Sequence, residues 1–309
     1  MVSIVIACYN GEKYLDRLLS SFVNQTDHNY QLVIVNDGST DKSHDIITNY
    51  LDLLPMYLVD TENRGVSHAR NTGLSVIKGD YVTFFDCDDD IDLDTVEKIN
   101  RMTQLECDFI VCNYHKNDCV YDEDISIESK ENLYRKIIES NAVRGYVWNK
   151  IFKSSIIKAN NIRFNEDINF CEDLLFVCEY VKHIETMKYI RDPYYHYYIN
   201  EESASKKFFS FNKITSLVAL RQCIEIVEAE NFLEVAVKYK EYYYNMTLSL
   251  LMHGYDIVKN DKQLLKKFKS ALREYSLEKN YSKRISYSVI LTRFSIRLSH
   301  LIWFIMKER

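Results

Sequence analysis

Four carboxylates follow a run of strand-forming residues in the first third of the chain. Residues 81–85 are aromatic and β-branched, which predicts a buried strand, and Asp86, Asp88, Asp89 and Asp90 come directly after them. Carboxylates this close raise one another's pKa unless a cation lies among them. The cluster therefore predicts a hard metal bound by oxygen, of the kind that binds phosphate. The alternative is a solvated acidic turn that caps the next helix.

The composition is that of an ordinary globular protein. The chain has 309 residues, 47% hydrophobic and 27% charged, enough for two domains or one large α/β domain with an added segment. Its net charge of -6 gives no reason to expect nucleic acid. Eight cysteines occur without a C-x-x-C pair, so buried thiols are favoured over a zinc site at Cys107, Cys112, Cys119 and His115.

The amino-terminal segment and the hydropathy of the chain favour a cytoplasmic protein. The chain opens directly into an apolar run without the basic segment and cleavage site of a signal peptide, which favours a reducing cytoplasm. No stretch of twenty uninterrupted apolar residues occurs, so no transmembrane span is expected.

Strands and helices alternate ahead of the acidic segment. Apolar runs at residues 2–7, 31–35 and 56–60 predict three strands. Apolar residues at helical spacing predict helices over residues 12–24 and 66–77. A series of this kind predicts a parallel sheet with helices packed on it.

Polar side chains follow the predicted strands or lie on the helix that comes next. They are Tyr9, Asp37, Arg70 and Asp86. Ligands bind along the carboxyl edge of an open parallel sheet, so these four are expected to meet in one crevice. The alternative is that each belongs to a separate turn or cap.

Four segments of this half resemble the sequential blocks of family 2 glycosyltransferases of the GT-A fold. The segments are residues 2–10 (VSIVIACYN), 36–41 (NDGSTD), 63–73 (NRGVSHARNTG) and 84–90 (FFDCDDD). Their order and spacing match the family over the first 95 residues. The chain departs from the usual family pattern with Ala7 and Leu93 in place of proline and Asn36 in place of aspartate. None of these carries a role assigned below.

The resemblance implies transfer of a sugar from a nucleotide sugar, usually a UDP-sugar. Asp88 would bind Mn²⁺ or Mg²⁺, which stabilises the leaving diphosphate, and Asp86 would lie toward the ribose or the metal. Asp37 would accept a hydrogen bond from the base, Tyr9 would line the base pocket, and Arg70 would approach the diphosphate. Without the resemblance, an aromatic residue after a strand and an arginine on a helix are commonplace.

A second signature of the family is an acidic pair that opens a helix, and residues 164–176 (FNEDINFCEDLLF) resemble it. By this resemblance Asp173 is the catalytic base that takes the proton of the acceptor hydroxyl, with Glu172 beside it. A single in-line displacement of this kind inverts the anomeric centre. The alternative is that the two acids only complement the helix dipole.

Residues 146–152 (YVWNKIF) resemble the W-N-K-L-Y segment of the family. An aromatic face suits the apolar side of a hexose, so Trp148 is a candidate sugar platform near the acceptor, with burial in the core as the alternative. Lys150 is a candidate to contact phosphate or to pair with a carboxylate, and its role stays open.

Residues 192–203 resemble a loop that closes over the donor phosphates in relatives. The family pattern usually has arginine at the positions of Tyr198 and Asn200, which weakens a phosphate contact here. His196 in this loop is a candidate metal ligand, and packing among the tyrosines is the alternative.

The remainder of the chain reads as long helices without a catalytic signature. Residues 282–307 predict one helix with a broad apolar side and with Arg293, Arg297, His300 and Lys307 on the other side. Such a pattern favours either an interfacial helix at an anionic membrane or packing against protein, including a second subunit.

The sequence therefore predicts an α/β fold: a GT-A-type nucleotide-binding sheet flanked by helices over residues 1–205, with an appended helical segment over 206–309. The nucleotide-binding half would cover about 1–115 and the acceptor half about 116–205. The expected activity is inverting, metal-dependent transfer of a hexose or N-acetylhexosamine from a UDP-sugar to a glycan or lipid-linked glycan acceptor. The expected location is the cytoplasm, and a peripheral position at the inner face of the membrane would suit a lipid-linked acceptor. The rivals are a nucleotidyltransferase, which would show a Gly-rich phosphate loop, and an inactive glycan-binding scaffold of the same fold.

Overall fold

Apolar segments of four to eight residues form a seven-stranded sheet in the first part of the chain, and four strands of two or three residues form a smaller sheet. The computed structural model describes residues 1–116, 119–120, 125–198, 208–277 and 281–307. The described strands are β1 Val2–Cys8, β2 Tyr30–Asp37, β3 Met56–Thr61, β4 Tyr81–Asp86, β5 Asp90–Ile91, β6 Phe109–Cys112, β7 His115–Lys116, β8 Cys119–Val120, β9 Lys150–Lys153, β10 Met187–Ile190 and β11 Tyr195–Tyr197.

The large sheet has the strand order β10-β6-β9-β4-β1-β2-β3. Its neighbouring strands are parallel except that β9 runs antiparallel to both β4 and β6. The small sheet has the order β5-β11-β7-β8. The strand order reverses direction at β1: β2 and β3 lie on one side of β1, and β4 lies on the other side. Open sheets bind ligands at the carboxyl end of such a switch point.

Helices cover both faces of the large sheet. They are α1 Leu15–Val23, α2 Ser43–Thr48, α3 Val66–Val76, α4 Thr95–Thr103, α5 Lys130–Glu139, α6 Ser154–Ala159 and α7 Glu172–Val181. Buried residues of α1, α2 and α4 share one core with alternate residues of β1 and β2. On the other face α3 packs closely on β1, since a Cβ at Gly73 would lie 2.4 Å from Cγ1 of Val5. The predicted α/β fold, a mostly parallel sheet flanked by helices, is confirmed.

A cluster of phenylalanines joins α7 to the strand that carries the acidic segment. Phe84 of β4 makes edge contacts with Phe164 and Phe176, at ring-centroid distances of 5.2 and 5.7 Å. Phe164 and Phe176 stack on each other at 4.0 Å. Large aromatic side chains that pack this way fix the position of a helix on a sheet. The amino end of α7 is therefore held on the same strand that ends at Asp86.

Contacts divide the chain into two units, Met1–Glu201 and Glu202–Arg309. The described part of the second unit is helical, as the sequence predicts for this segment. It contains a 3₁₀ turn at Asn212–Thr215 and the helices α8 Ser216–Ala229, α9 Leu233–His253, α10 Tyr255–Val258, α11 Lys262–Ala271, α12 Lys283–Phe294 and α13 Ile296–Lys307. In the described ranges, no helix combines the length and the apolar character that crossing a bilayer requires.

The single helix predicted for residues 282–307 is wrong. Ser295 has an extended backbone, with φ -153° and ψ 107°, and separates α12 from α13. Its hydroxyl accepts a hydrogen bond from the N–H of Leu298, so Ser295 caps the start of α13. Serine is a favoured N-cap because its side chain satisfies an N–H that the helix itself leaves unpaired. The apolar periodicity of the sequence continues across Ser295, so the periodicity alone did not show that the helix ends there.

The basic face predicted for this segment is also largely wrong. The Arg293 guanidinium points inward and donates hydrogen bonds to the carbonyl of Leu272 and the hydroxyl of Tyr244. His300 stacks on Tyr255 at 4.1 Å. Arg297 is exposed, and the side chain of Lys307 lies outside the described residues. Two of the four basic residues therefore pack within the unit because buried oxygens and rings are available to them.

Candidate active site

The carboxyl ends of β1, β2 and β4 meet at one edge of the sheet. Ala7 pairs with Asp86 on one side, and Cys8 pairs with Asn36 on the other. Tyr9 follows directly and is 50% exposed, with its ring available to a ligand. The sequence-predicted residues at these strand ends therefore lie along a common edge.

Asp37 organises the turn between β3 and α3. It is buried, and its carboxylate accepts hydrogen bonds from the N–H groups of Gly65 at 2.8 Å and Arg64 at 3.1 Å. The Thr61 hydroxyl donates to the same carboxylate at 3.2 Å. Gly65 has a φ of 94°, a left-handed conformation that favours glycine. Asp37 thus fixes the backbone where α3 begins.

Arg70 of α3 connects the end of β4 to the start of α7. Its buried guanidinium donates to Oδ1 of Asp86 at 3.0 Å and to Oε1 of Glu172 at 3.2 Å. Burial alone would lower the pKa of Arg70, but the charges of Asp86 and Glu172 raise that pKa above its ordinary value. A buried guanidinium is held by two carboxylates at once, so its orientation is fixed.

Asp173 lies next to this ion-pair network. Burial and the neighbouring charge of Glu172 raise the pKa of Asp173 to about 7, while the charge of Arg70 and the N–H of Leu174 act in the opposite direction. The N–H of Leu174 donates to its Oδ1 at 2.8 Å. A carboxyl with a pKa near neutrality can both accept and release a proton at working pH, as a general base must.

The carboxylates of the acidic segment have different surroundings. Asp89 is buried and accepts hydrogen bonds from the Tyr195 hydroxyl at 2.6 Å and the N–H of Tyr198 at 2.9 Å. Burial and the nearby charge of Asp86 raise the pKa of Asp89 well above its ordinary value. Asp90 accepts from the N–H of Ile91 at 2.8 Å. Asp89 and Asp90 thus hold the turn together.

Asp86 and Asp88 are both partly exposed on this turn. The carbonyl of Asp88 accepts a hydrogen bond from Nη2 of Arg17 at 2.9 Å, which fixes its backbone. Two accessible carboxylates within three residues provide the oxygen ligands that Mg²⁺ and Mn²⁺ prefer. The donor set on the turn therefore fits a metal of the kind that the sequence predicts, and Asp88 as its ligand stays a prediction.

Trp148 is buried, with 4% of its surface exposed. Its ring stacks on Tyr195 at 5.0 Å, on Tyr197 at 5.4 Å and on Tyr146 at 5.0 Å. This placement corresponds to the core alternative for Trp148 rather than to an open sugar platform. The stacked rings support β11, whose Tyr195 hydroxyl also accepts the N–H of Asp86.

Lys150 is fully buried in β9. Its Nζ donates to the carbonyl of Arg144 at 2.5 Å and to Oδ1 of Asn149 at 2.8 Å. Burial lowers the pKa of Lys150 to about 7, against the opposing effect of the Asp173 charge. The amino group therefore holds the loop before β9 in place, and the charge of Asp173 acts on its ionisation.

His196 lies in the middle of β11, where Tyr195 and Tyr197 project toward Trp148. Alternate residues of a strand face opposite sides, so His196 projects away from that stack. Its imidazole lies 2.8 Å from Oδ1 of Asp92 instead. Asn200, the other loop position singled out from the sequence, lies outside the described residues.

The sequence did not single out Arg17 or Tyr195, which both contact the acidic turn. A sequence signal for Tyr195 does exist, because Tyr195 and Tyr197 alternate with His196 and such a period-two pattern predicts a strand with both tyrosines on one face. Nothing in the sequence connects Arg17 to a turn some seventy residues later.

Comparison with known proteins identifies the family of this chain. The family model for glycosyl transferase family 2 matches residues 3–162, about half of the 309 residues. The putative glycosyltransferase EpsH of Bacillus subtilis (strain 168) is 32% identical over 218 residues, which are 67% of this chain and 63% of EpsH. This chain thus spans less than two thirds of the length of that relative.

Two solved structures share the fold. The crystal structure of S. aureus TarS 1–349 in complex with UDP-GlcNAc has a TM-score of 0.69 at 19% identity and covers 88% of this chain and 80% of that chain. The mannosyltransferase PcManGT from Pyrobaculum calidifontis, in complex with GDP-Man and Mn²⁺, has a TM-score of 0.57 at 14% identity. The match covers 99% of this chain and 84% of that chain. The expected glycosyltransferase fold is confirmed. Since the family model covers half of its residues, the chain belongs to glycosyl transferase family 2.

Proposed function

We propose that this protein is an inverting, metal-dependent glycosyltransferase that transfers a hexose or an N-acetylhexosamine from a UDP-sugar to a glycan or lipid-linked glycan. The observation that carries the proposal is Asp173, whose pKa is raised to about 7 beside an ion-pair network that reaches the acidic turn. Membership of the family supports sugar transfer. The UDP-GlcNAc in TarS supports a UDP-sugar donor.

The donor would bind along the carboxyl edge of β1, β2 and β4. Tyr9 is proposed to stack on or border the base, and Asp37 to accept a hydrogen bond from it. Asp86 would lie toward the ribose and the metal, and Arg70, buried between Asp86 and Glu172, would hold Asp86 in that orientation. Asp88 would hold Mn²⁺ or Mg²⁺, and the bound ion would neutralise the charge that develops on the leaving diphosphate.

In the proposed reaction the acceptor hydroxyl oxygen attacks the anomeric carbon as the bond from that carbon to the diphosphate oxygen breaks. Asp173 takes the hydroxyl proton, and UDP leaves with the electron pair of the broken bond. Attack from the face opposite the leaving group inverts the anomeric centre. Glu172 and Arg70 act as positioning residues, because their ion pair fixes the amino end of α7 and the charge around Asp173.

A nucleotide-release assay tests this proposal. Purified protein is incubated with UDP-glucose, UDP-galactose, their N-acetylhexosamine counterparts and GDP-mannose, with Mn²⁺ and then with EDTA. We expect metal-dependent release of UDP, and Asp88→Asn should remove it while the control Asp94→Asn, in which an acid of the following segment is changed, should not. Absence of release from every donor, with and without glycan acceptors, would indicate a scaffold that has kept the fold. Release from GDP-mannose alone would replace the proposed donor class.

The second unit is proposed to contact an anionic membrane surface through α12 and α13. Nine large apolar side chains of these helices are exposed: Tyr287, Ile290, Phe294, Leu298, Leu301, Ile302, Phe304, Ile305 and Met306. Lys283, Arg284 and Arg297 are exposed beside them. An exposed apolar patch with basic neighbours suits the interface of an anionic bilayer.

Sedimentation with lipid vesicles tests this contact. Binding to phosphatidylglycerol vesicles should exceed binding to phosphatidylcholine vesicles, and Phe294→Ser with Phe304→Ser should reduce it. Leu233→Ser is the matched control, since Leu233 is exposed in the same unit but outside these helices. Failure to bind either vesicle, together with a dimer that Phe294→Ser dissociates, would favour self-association through the same surface.

A further inference from the structure

Three side chains with metal-binding atoms meet on the small sheet. His196 of β11 pairs with His115 of β7, and Asp92 directly follows β5, the strand on the other side of β11. Nε2 of His196 lies 2.8 Å from Oδ1 of Asp92, and Nε2 of His115 lies 3.9 Å from Oδ2 of the same carboxylate. The two imidazole rings stack with their centroids 4.2 Å apart. One ligand atom from each residue lies within 4.8 Å of the others.

This cluster is separate from the acidic turn that would hold the donor metal. Tyr195 and Tyr197 flank His196 in β11 and pack on Trp148, and the Tyr195 hydroxyl binds Asp89. Alternation along the strand therefore directs His196 away from Asp89, whereas Asp90, its partner in β5, lies on the same face as His196. Among the described residues, the side chains close enough to share one ion of this kind are Asp92, His115 and His196, without a carboxylate of the acidic turn.

We propose that Asp92, His115 and His196 form a binding site for a divalent transition-metal ion of the zinc type. Two imidazole nitrogens and one carboxylate oxygen suit Zn²⁺ or Co²⁺, whereas Mg²⁺ prefers oxygen ligands alone. Bonds of about 2.0 to 2.1 Å in a tetrahedral shell separate neighbouring ligand atoms by about 3.3 Å. The observed distances of 2.8 and 3.9 Å end on different oxygens of Asp92, and one ligand atom from each residue lies within 4.8 Å of the others, so side-chain rotations would have to bring the three atoms to this spacing.

The exposure of the cluster allows a metal to enter. The side chains of His115 and His196 are each 19% exposed, and that of Asp92 is 32% exposed. Three protein ligands on an accessible surface leave a fourth position for water. The ion would take the place of the hydrogen bond between Nε2 of His196 and Oδ1 of Asp92.

One nearby cation opposes binding. Nζ of Lys98 lies 3.4 Å from Oδ2 of Asp92. The same ammonium is closer to Oδ1 of Asp94, at 3.0 Å, and donates to the carbonyl of Pro193 at 3.2 Å. Two other acceptors therefore hold it. Removing its charge with Lys98→Met should tighten metal binding, because like charges near a metal disfavour it.

The proposed ion would fasten β5, β7 and β11 to one another. β5 begins at Asp90, the last residue of the acidic turn, and β11 supplies the Tyr195 hydroxyl that binds Asp89. A metal bound by Asp92, His115 and His196 would thus stabilise β5 and β11, the two strands that hold the acidic turn. The inference concerns metal binding alone and does not depend on the proposed sugar transfer.

Calorimetric titration of the full chain with Zn²⁺, after removal of metals with EDTA and in excess Mg²⁺, tests the site. Mg²⁺ occupies oxygen-only sites, so we expect one remaining equivalent of Zn²⁺. His115→Ala and His196→Ala should each weaken it at least about tenfold, and Asp88→Asn should leave it unchanged. His44→Ala is the matched control, because His44 lies 3.2 Å from a carboxylate of Asp60, outside the cluster.

A spectroscopic measurement keeps the test decisive if a variant folds poorly. Co²⁺ bound to the wild-type protein should give visible absorption bands of a four- or five-coordinate site with nitrogen ligands, and Zn²⁺ should displace them. Absence of both Zn²⁺ binding and these bands in the folded wild-type protein would overturn the proposal. Equal Zn²⁺ affinity in wild type and in folded His196→Ala would overturn it as well.

Discussion

Replacing Asp173 by asparagine should separate catalysis from donor binding. Asparagine has nearly the same shape but cannot take a proton at neutral pH, so the acceptor hydroxyl would lose its base. General-base catalysis contributes about 10²- to 10⁴-fold to a rate, and the transfer rate should fall by that amount. The affinity for UDP, measured by calorimetry, should stay within about twofold, because Asp173 is not assigned a contact with the nucleotide.

The same substitution should stabilise the fold at neutral pH. Burial and the charge of Glu172 raise the pKa of Asp173 from 3.8 to about 7. The unfolded chain keeps the ordinary value, so ionising this carboxyl costs the folded state free energy. The cost is absent below pH 3.8, grows as the pH rises and is complete above pH 7. A shift of about three units corresponds to at most about 4 kcal/mol.

The assay combines nucleotide release with thermal unfolding between pH 5 and pH 8.5. Asp173 must be ionised to accept a proton, so kcat/KM of the wild type should rise with pH, with a midpoint near the Asp173 pKa of about 7. Glu172→Gln removes a neighbouring negative charge and should move that midpoint to lower pH. Asp167→Asn is the control, since Asp167 is exposed a few residues before α7.

Three results would refute this reasoning. The first is a transfer rate of Asp173→Asn within about threefold of the wild type, which would place the base elsewhere. The second is a wild-type midpoint near pH 4, the ordinary range of a carboxyl. The third is a lower unfolding temperature of Asp173→Asn than of the wild type at pH 8, which would show that ionised Asp173 is not strained by its surroundings.

Two further substitutions test the framework of the site. Arg70→Met should destabilise the fold by about 3–5 kcal/mol, because it leaves Asp86 and Glu172 as partly buried, unpaired charges; an unchanged urea midpoint would contradict the ion-pair network. Gly73→Ala should cost about 1–3 kcal/mol, since the new methyl group would lie 2.4 Å from Val5, and calorimetric unfolding would measure it; an unchanged transition would mean that α3 can move off β1.

Local patterns in the sequence were sufficient to predict the strands of the sheet and the polar residues at its carboxyl edge. β1, β2 and β4 were recognised because strands buried on both faces appear as short apolar runs, and the polar residues after them stand at the carboxyl ends by chain order alone. The four motif blocks supplied the family, which the family model confirms. The acidic pair at the start of α7 was recognised in the same way, since a helix start is a local feature.

Contacts between distant residues could not be read from those patterns. Arg70 and Glu172 are 102 residues apart, and only folding brings them together. The alternatives for Trp148 could not be separated until the tyrosines of β11 were seen to stack on it. His115 was considered only beside the cysteines that precede and follow it, whereas the fold places it against His196 and Asp92.

The amino-acid sequence by itself determined the order of the elements, the α/β fold and the family, because periodicity and motif spacing depend on neighbours along the chain. Only the tertiary structure decided which carboxyls are buried, which are paired, and therefore which have a raised pKa. Asp173 and Asp89 differ from Asp86 and Asp88 in their surroundings rather than in their chemistry. The free energy of a charge depends on the solvent and the partners that folding leaves around it.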